Sequence, residues 1–238
     1  MLKVVRMVKR RKDLTLPRFK AYWLEHHVPL EQRVVQTTPV RKIVASFSTG
    51  QLVGGTEPPF DGMASIYFDS LADLKATFAG PTPAMMRKDE ENFIDLTGEV
   101  VRTITEEYNV AEHASAPAVL KTSGQLKIIR TVRRRPDLTL EQFKARWMSG
   151  HVPLEKKVIE MAPVRRIIAS FALPETAGGL QPAFDGMAEL YFESLDDIRA
   201  LFASPVPAMM RKDEEDFIDL TGEVVRSVSE EYVVAERA

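Results

Sequence analysis

Trp23-Leu24-Glu25-His26-His27-Val28-Pro29-Leu30-Glu31 returns as Trp147-Met148-Ser149-Gly150-His151-Val152-Pro153-Leu154-Glu155, with Trp, His and Pro at the same spacing. Shifting the chain by 124 residues aligns Leu2–Glu112 with Leu126–Glu236 without a gap, and 69 of the 111 paired positions are identical. A self-match of that length is a duplication. The 238 residues therefore divide into two units of domain size: 1–110 and 126–238, joined by a linker at 111–125.

Working outward from the quoted stretch, Leu16, Phe19, Trp23, His27, Leu30 and Val34 follow helical spacing and form one apolar face. Thr15 supplies an N-cap, and its counterpart Thr139 is followed by Gln142 at the capping-box position. Pro29 removes a backbone donor, so the helix is expected to kink or restart there. That would leave His27 at a helix end whose partial negative charge favours the imidazolium. Val-rich segments at Leu2–Arg10, Val40–Ser46, Met63–Phe68 and Glu99–Val110 read as strands, and Ser70–Ala79 and Ala84–Ile94 as helices. Each unit is thus βαββαβ, an antiparallel sheet with helices on one face. The other face carries Met63 and Tyr67, with Met187 and Tyr191 in the second copy, and needs a partner. The fused copy supplies it. The expected fold class is α+β, two ferredoxin-like repeats packed as a pseudo-dimeric α+β barrel. A ligand is expected inside that barrel.

Composition narrows the function classes. Thirty-two basic and 34 acidic residues give a net charge of −2, so no overall field favours nucleic acid or an anionic membrane. The clusters Lys9-Arg10-Arg11-Lys12 and Arg133-Arg134-Arg135 fall at equivalent strand ends and read as solvated edges. There is no cysteine, which excludes disulfides and thiol chemistry. With no membrane-length apolar run or signal peptide, a soluble, cytoplasmic protein is expected. Adjacent His26 and His27 point in different directions on a helix and make no metal-ligand set, so neither metal nor cofactor is expected.

His27 and His151 are the leading candidates for chemistry, because an imidazole exchanges protons near neutrality. Tyr67 and Tyr191 face the expected interior, where a phenol can stabilise an enolate. Asp61 and Asp185 are candidate orienters of the histidines, although Asp-Gly is also ordinary turn chemistry. Trp23, Trp147, Met63 and Met187 are candidate substrate contacts. Asp89, on a helix with Met86, Glu90 and Phe93, reads mainly as part of a solvated, ion-paired face. The copies differ at Tyr22/Arg146, His26/Gly150 and Ser65/Glu189. Because Glu189 is an ionisable group on the interior face, the second copy is expected to hold the competent pocket, built from His151, Tyr191 and Glu189.

Leu2–Val8 with Lys9-Arg10-Arg11, Trp23-x-x-x-His27-x-Pro29-Leu30, Phe60-Asp61-Gly62-Met63-Ala64, Tyr67-Phe68-Asp69-Ser70 and Asp89-Glu90-Glu91-x-Phe93 together resemble the EthD family of the dimeric α+β-barrel superfamily. The second copy repeats these motifs around Trp147, His151, Phe184-Asp185-Gly186 and Asp213. In that pattern Glu is the expected residue at position 189, and Ser65 is the departure. The resemblance implies an accessory protein of a degradation pathway or a dehydratase- or cyclase-like enzyme. Superfamily relatives include isomerases, cofactor-free monooxygenases and haem-handling enzymes. The leading expectation is a cofactor-independent lyase, cyclase or isomerase using His acid–base chemistry on a small, largely apolar carbonyl compound. A non-catalytic small-molecule-binding module and a cofactor-free oxygenase are the alternatives. The expected partners are a small molecule and the chain's own second half; further homodimerisation stays open.

Overall fold

The computed structural model describes residues 1–51, 59–98, 101–174, 182–221 and 225–237. The first repeat runs β1 (Leu2–Val8), α1 (Leu16–Tyr22), a π-helical turn (Trp23–His27), α2 (Val28–Thr37), β2 (Lys42–Ser48), β3 (Gly62–Phe68), α3 (Leu71–Ala79), α4 (Thr82–Glu90) and β4 (Val101–Glu112). A short α5 (Ala116–Val119) connects it to β5 (Ser123–Val132), α6 (Leu140–Arg146), a second π turn (Trp147–His151), α7 (Val152–Met161) and β6 (Arg166–Ala172). β7 (Gly186–Phe192), α8 (Leu195–Ala203), α9 (Val206–Glu214) and β8 (Arg226–Glu236) complete the second repeat. Most of the expected Gly50–Pro59 loop lies outside the described residues.

The eight strands close into one barrel in the order β1-β3-β2-β8-β5-β7-β6-β4, every described pairing antiparallel. Two seams join the repeats, β2 with β8 and β4 with β6, so neither sheet keeps a free edge. Because β4 reaches Glu112 and β5 begins at Ser123, the segment read as linker is partly strand: its first residues join the β4–β6 seam, and its last pair with β8 inside the second repeat.

Strand alternation separates two environments. Ala64, Ile66 and Phe68 point outward beneath the helices, whereas Met63, Ser65 and Tyr67 point into the barrel. The barrel interior is packed. At one end Val5, Met7, Phe60, Met63, Ile129, Phe184 and Met187 form a compact apolar cluster. Elsewhere inside, Lys3 Nζ lies 2.6 Å from Glu107 and 2.6 Å from Glu189, and Lys127 Nζ lies 2.6 Å from Glu189 and also pairs with Glu231. Glu189 thus serves both pseudo-symmetric lysines, while Ser65 occupies the matching position. Burial raises the Glu189 pKa, but the two ammoniums prevail and hold it down at about 2. The interior expected to hold a ligand is therefore a filled and ion-paired core.

Thr15 caps α1 by accepting from Arg18 N, and Thr139 with Gln142 forms the full capping box on α6. The helix restarts at Val28 through the π turn, in which Val28 N donates to Trp23 O. The extra residue rotates the downstream face. As a result Glu31 faces the core, and Leu30 sits only half-buried. Gly62 reflects the same close packing, since a Cβ there would lie 2.8 Å from the Trp23 ring. Asp-Gly at this position therefore does more than turn the chain: Gly lets the helix seat directly on β3.

Candidate functional site

Each repeat has a cavity between its helices and the outer face of its half of the barrel. The first, about 250 Å³, is walled by Val4, Val8, Trp23, Ile43, Phe68 and Met86; the second, about 140 Å³, is walled by Ile128, Val132, Trp147, Ile167 and Met210. Thr77 and Thr82 line the first where Leu201 and Val206 line the second, and Val4 replaces Ile128. Smaller side chains account for the larger space. The second cavity, expected to be the competent one, is the more constricted.

His27 is held at the cavity wall by the π turn, edge-on to Trp23 at 5.6 Å and to Phe93 at 5.0 Å. Its Nδ1 is 2.7 Å from Asp89 Oδ2, and in the second repeat His151 Nδ1 is 2.6 Å from Asp213 Oδ2. A carboxylate only accepts, so Nδ1 carries the proton and Nε2 is left with its lone pair. Glu31 Oε1 lies 3.9 Å from that Nε2 and accepts from Trp23 Nε1 at 3.2 Å. Its other oxygen, Oε2, is buried and has no partner, as is Glu155 Oε2 in the second cavity.

Electrostatics distinguish the two ends of this arrangement. Burial pushes the pKa of His27 and His151 down, with the Asp89 and Asp213 carboxylates opposing it. The expectation that a helix terminus favours the imidazolium is corrected: the helix continues through the π turn, and desolvation outweighs the dipole. Burial raises Glu31 and Glu155 to about 8, well above the ordinary value of 4.5, so both are mostly neutral acids at neutral pH. Each site therefore offers a neutral, carboxylate-anchored imidazole beside a protonated carboxyl.

The sequence-nominated residues do not gather in one place. Trp23, Trp147, His27 and His151 line the cavities. Tyr67, Tyr191 and Glu189 lie inside the barrel, on the opposite face of the sheet. Tyr67 donates to Glu107 at 3.0 Å and Tyr191 to Glu231 at 2.9 Å; burial, reinforced by those carboxylates, drives both phenol pKa values well up. The expected grouping of His151, Tyr191 and Glu189 is therefore corrected by the alternation of β7. Met63 and Met187 belong to the interior cluster. Asp61 accepts from Arg10 N at 2.9 Å and Arg10 Nη1 at 2.6 Å, and Asp185 from Arg134 at 3.0 and 2.5 Å. The orienting carboxylates are Asp89 and Asp213.

Glu31, Arg6, Glu90 and Arg102 were missed as site residues. Glu31 left one signal in the sequence: it is an acid four residues after His27 and eight after Trp23, on an otherwise apolar stripe.

The divergence between copies proves to be one coupled exchange around the dyad. In the first repeat the Tyr22 hydroxyl donates to Asp89 at 3.1 Å and its ring packs on His26 and Phe93. In the second, Arg146 takes that place, 2.9 Å from Asp213 and 3.1 Å from Asp216, the counterpart of Asn92. A Cβ at position 150 would lie 1.9 Å from Arg146 Nη1, so Gly150 makes room for the guanidinium.

Among the described residues no group of three or more His, Cys, Asp or Glu side chains is arranged to hold a metal ion, and no helix is long and apolar enough to cross a membrane. A family profile described as the EthD domain matches residues 11–97 and again 135–221. No curated protein is similar enough in sequence to match the chain. Among solved structures, one described as an anthrone oxidase-like protein superposes with a TM-score of 0.66 at 10% identity, covering 100% of this chain and 94% of its own. A putative monooxygenase from Lactobacillus acidophilus gives a TM-score of 0.53 at 7% identity, covering 99% of this chain and 97% of its own. Another from Fusobacterium nucleatum gives 0.54 at 8%, covering 99% and 95%. At such identities these likenesses speak for the fold alone.

Proposed function

The chain belongs to the EthD family, and from that premise we propose that it is a cofactor-independent acid–base enzyme acting on a small, largely apolar carbonyl compound. One observation carries the reading: a neutral imidazole anchored by Asp89 sits 3.9 Å from a buried Glu31 that retains its proton. His27 Nε2 takes a proton from the carbon beside the carbonyl, and the C–H electron pair moves into the enolate. Glu31, keeping its proton, donates a hydrogen bond to the developing oxyanion, and Asp89 stabilises the imidazolium. Returning the proton to another carbon completes an isomerisation; delivering it to a departing hydroxyl completes a dehydration. The lowered basicity of His27 suits this cycle, because an imidazole that stays neutral near pH 7 is ready to accept.

The test is deuterium incorporation next to the carbonyl of 1-tetralone and 1-indanone in heavy water, followed by proton NMR. Wild-type protein should accelerate exchange, and the His27→Ala/His151→Ala double variant should lose roughly a hundredfold or more of that acceleration. Equal rates for wild type and a folded double variant would sink the acid–base reading. Ligand binding without exchange would leave a binding module, and substrate-dependent dioxygen uptake would redirect the same deprotonation towards a cofactor-free oxygenase.

A further inference from the structure

The acid–base step leaves one part of each cavity unused. Arg6 and Arg102 are direct cross-strand partners on β1 and β4, and both line the first cavity. Arg130 and Arg226 repeat the arrangement on β5 and β8 in the second. Arg6 pairs with Glu90, and Arg130 with Glu214, but the Nε of each arginine is buried without a partner. Among the described residues the Arg102 guanidinium makes no hydrogen bond or ion pair. It lies over the Phe78 ring at 5.8 Å, as Arg226 lies over Phe202 at 5.9 Å. Arg87 and Arg211 add a third guanidinium at each rim.

Against three guanidiniums, the described lining of the first cavity offers Glu90, already paired with Arg6, and Glu31, which keeps its proton. Burial, with Arg6 and Arg87 adding repulsion, pushes Arg102 below its ordinary pKa. Glu90 attracts it without pairing with it, and a half-buried cation that no carboxylate contacts directly is unfavourable unless something pairs with it. Here it stands at the edge of an apolar chamber that also contains an unpartnered donor (Arg6 Nε) and an unpartnered acid (Glu31 Oε2).

We propose that the ligand of these cavities is an organic carboxylate, with an apolar ring system against the Val, Phe and Trp walls and its carboxylate on Arg102, or on Arg226 in the second repeat. A planar guanidinium meets a carboxylate through two parallel N–H donors, which fixes orientation as well as charge. Volume sets the ring size. A cavity of roughly 150 Å³ holds a benzene-sized guest, so the second cavity fits one ring and the first fits a fused pair. This inference rests on the cavities being the functional sites, and it names the substrate class for them.

Calorimetric titration with 1-naphthoate and its uncharged isostere 1-naphthamide at pH 7 tests it. The acid should bind at one site per chain and at least tenfold more tightly than the amide. Arg102→Gln should remove that preference with amide affinity unchanged, and Arg102→Lys should give an intermediate ratio. Arg226→Gln should leave naphthoate unaffected and weaken benzoate instead. Equal affinities, binding of neither compound, or a preference that survives Arg102→Gln in a folded protein would overturn the proposal. His27→Ala keeps Arg102 in place and should retain the acid-to-amide ratio. Exchange that survives in the folded His27→Ala/His151→Ala variant, with the ratio intact, therefore counts against the acid–base reading alone. A wild-type protein that exchanges the ketones but shows no preference for the acid over the amide counts against this inference alone.

Discussion

Replacing Glu31 by Gln keeps the shape and the acceptor for Trp23 Nε1 but removes the ionisable proton. Glu31 titrates at about 8 in the folded protein against 4.5 ordinarily, and it is 2% exposed, so the unfolded chain gives up this proton far more readily. A carboxyl whose folded pKa is raised contributes stability that is complete below its unfolded pKa and disappears as pH rises through the folded one. Integrated over the whole window this is about 5 kcal/mol as an upper bound. His27 titrates in the opposite sense: its folded pKa is lowered from 6.5, so its contribution is present above 6.5 and lost below. The interval free of histidine titration therefore runs from pH 6.5 to about 8, where Glu31 and Glu155 should each cost wild type roughly 2 kcal/mol and the Glu31→Gln difference isolates the first. Urea unfolding followed by tryptophan fluorescence at pH 5, 6.5 and 8.5 gives the difference directly. Glu31→Gln should match wild type within about 1 kcal/mol at pH 5 and exceed it by several at pH 8.5. A variant with the same pH slope as wild type, or one less stable at pH 8.5, would show that Glu31 is not a buried neutral acid.

Asp89→Asn should lower ketone exchange in the first cavity by roughly a hundredfold with ligand affinity unchanged, because Asn no longer fixes the Nδ1–H tautomer; rates and calorimetric affinity measured together separate the two effects. Thr77→Leu imports the narrower second-repeat wall and should weaken naphthoate roughly tenfold or more while sparing benzoate, as titration of both will show. Glu189→Gln takes the shared carboxylate from two buried ammoniums and should cost roughly 3 kcal/mol in urea unfolding; an unchanged midpoint would mean that Glu107 and Glu231 suffice.

Much of the architecture was legible because a duplication displays its own period, because Leu2–Val8 is rich in Val and because Met63–Phe68 alternates cleanly. The family motifs around Trp23, Asp61 and Asp89 then named the fold. The site was harder to read. Alternation assigns Tyr67 and Ala64 to opposite faces without saying which face borders an open cavity, and so the tyrosines and Glu189 were grouped with the histidines. Asp89 was read as solvated because Arg-Lys-Asp-Glu-Glu looks like an ion-paired helix surface; its partner is 62 residues away. The π turn hid Glu31, since counting by α-helical spacing brings Leu30 to the inner face.

The lone Glu189 between Lys3 and Lys127 has a consequence for how such a barrel can evolve. A barrel assembled from two identical chains must place the same residue on both sides of its axis, so a single carboxylate shared by two lysines is unavailable to it. A duplication within one chain gives those positions separate codons, which here encode Ser65 and Glu189. The halves are consequently no longer interchangeable. A self-pair of second repeats would set two buried glutamates against each other, and a self-pair of first repeats would have none at that position. The interior has become a lock with one key, and the two cavities outside it are free to specialise on different ligands.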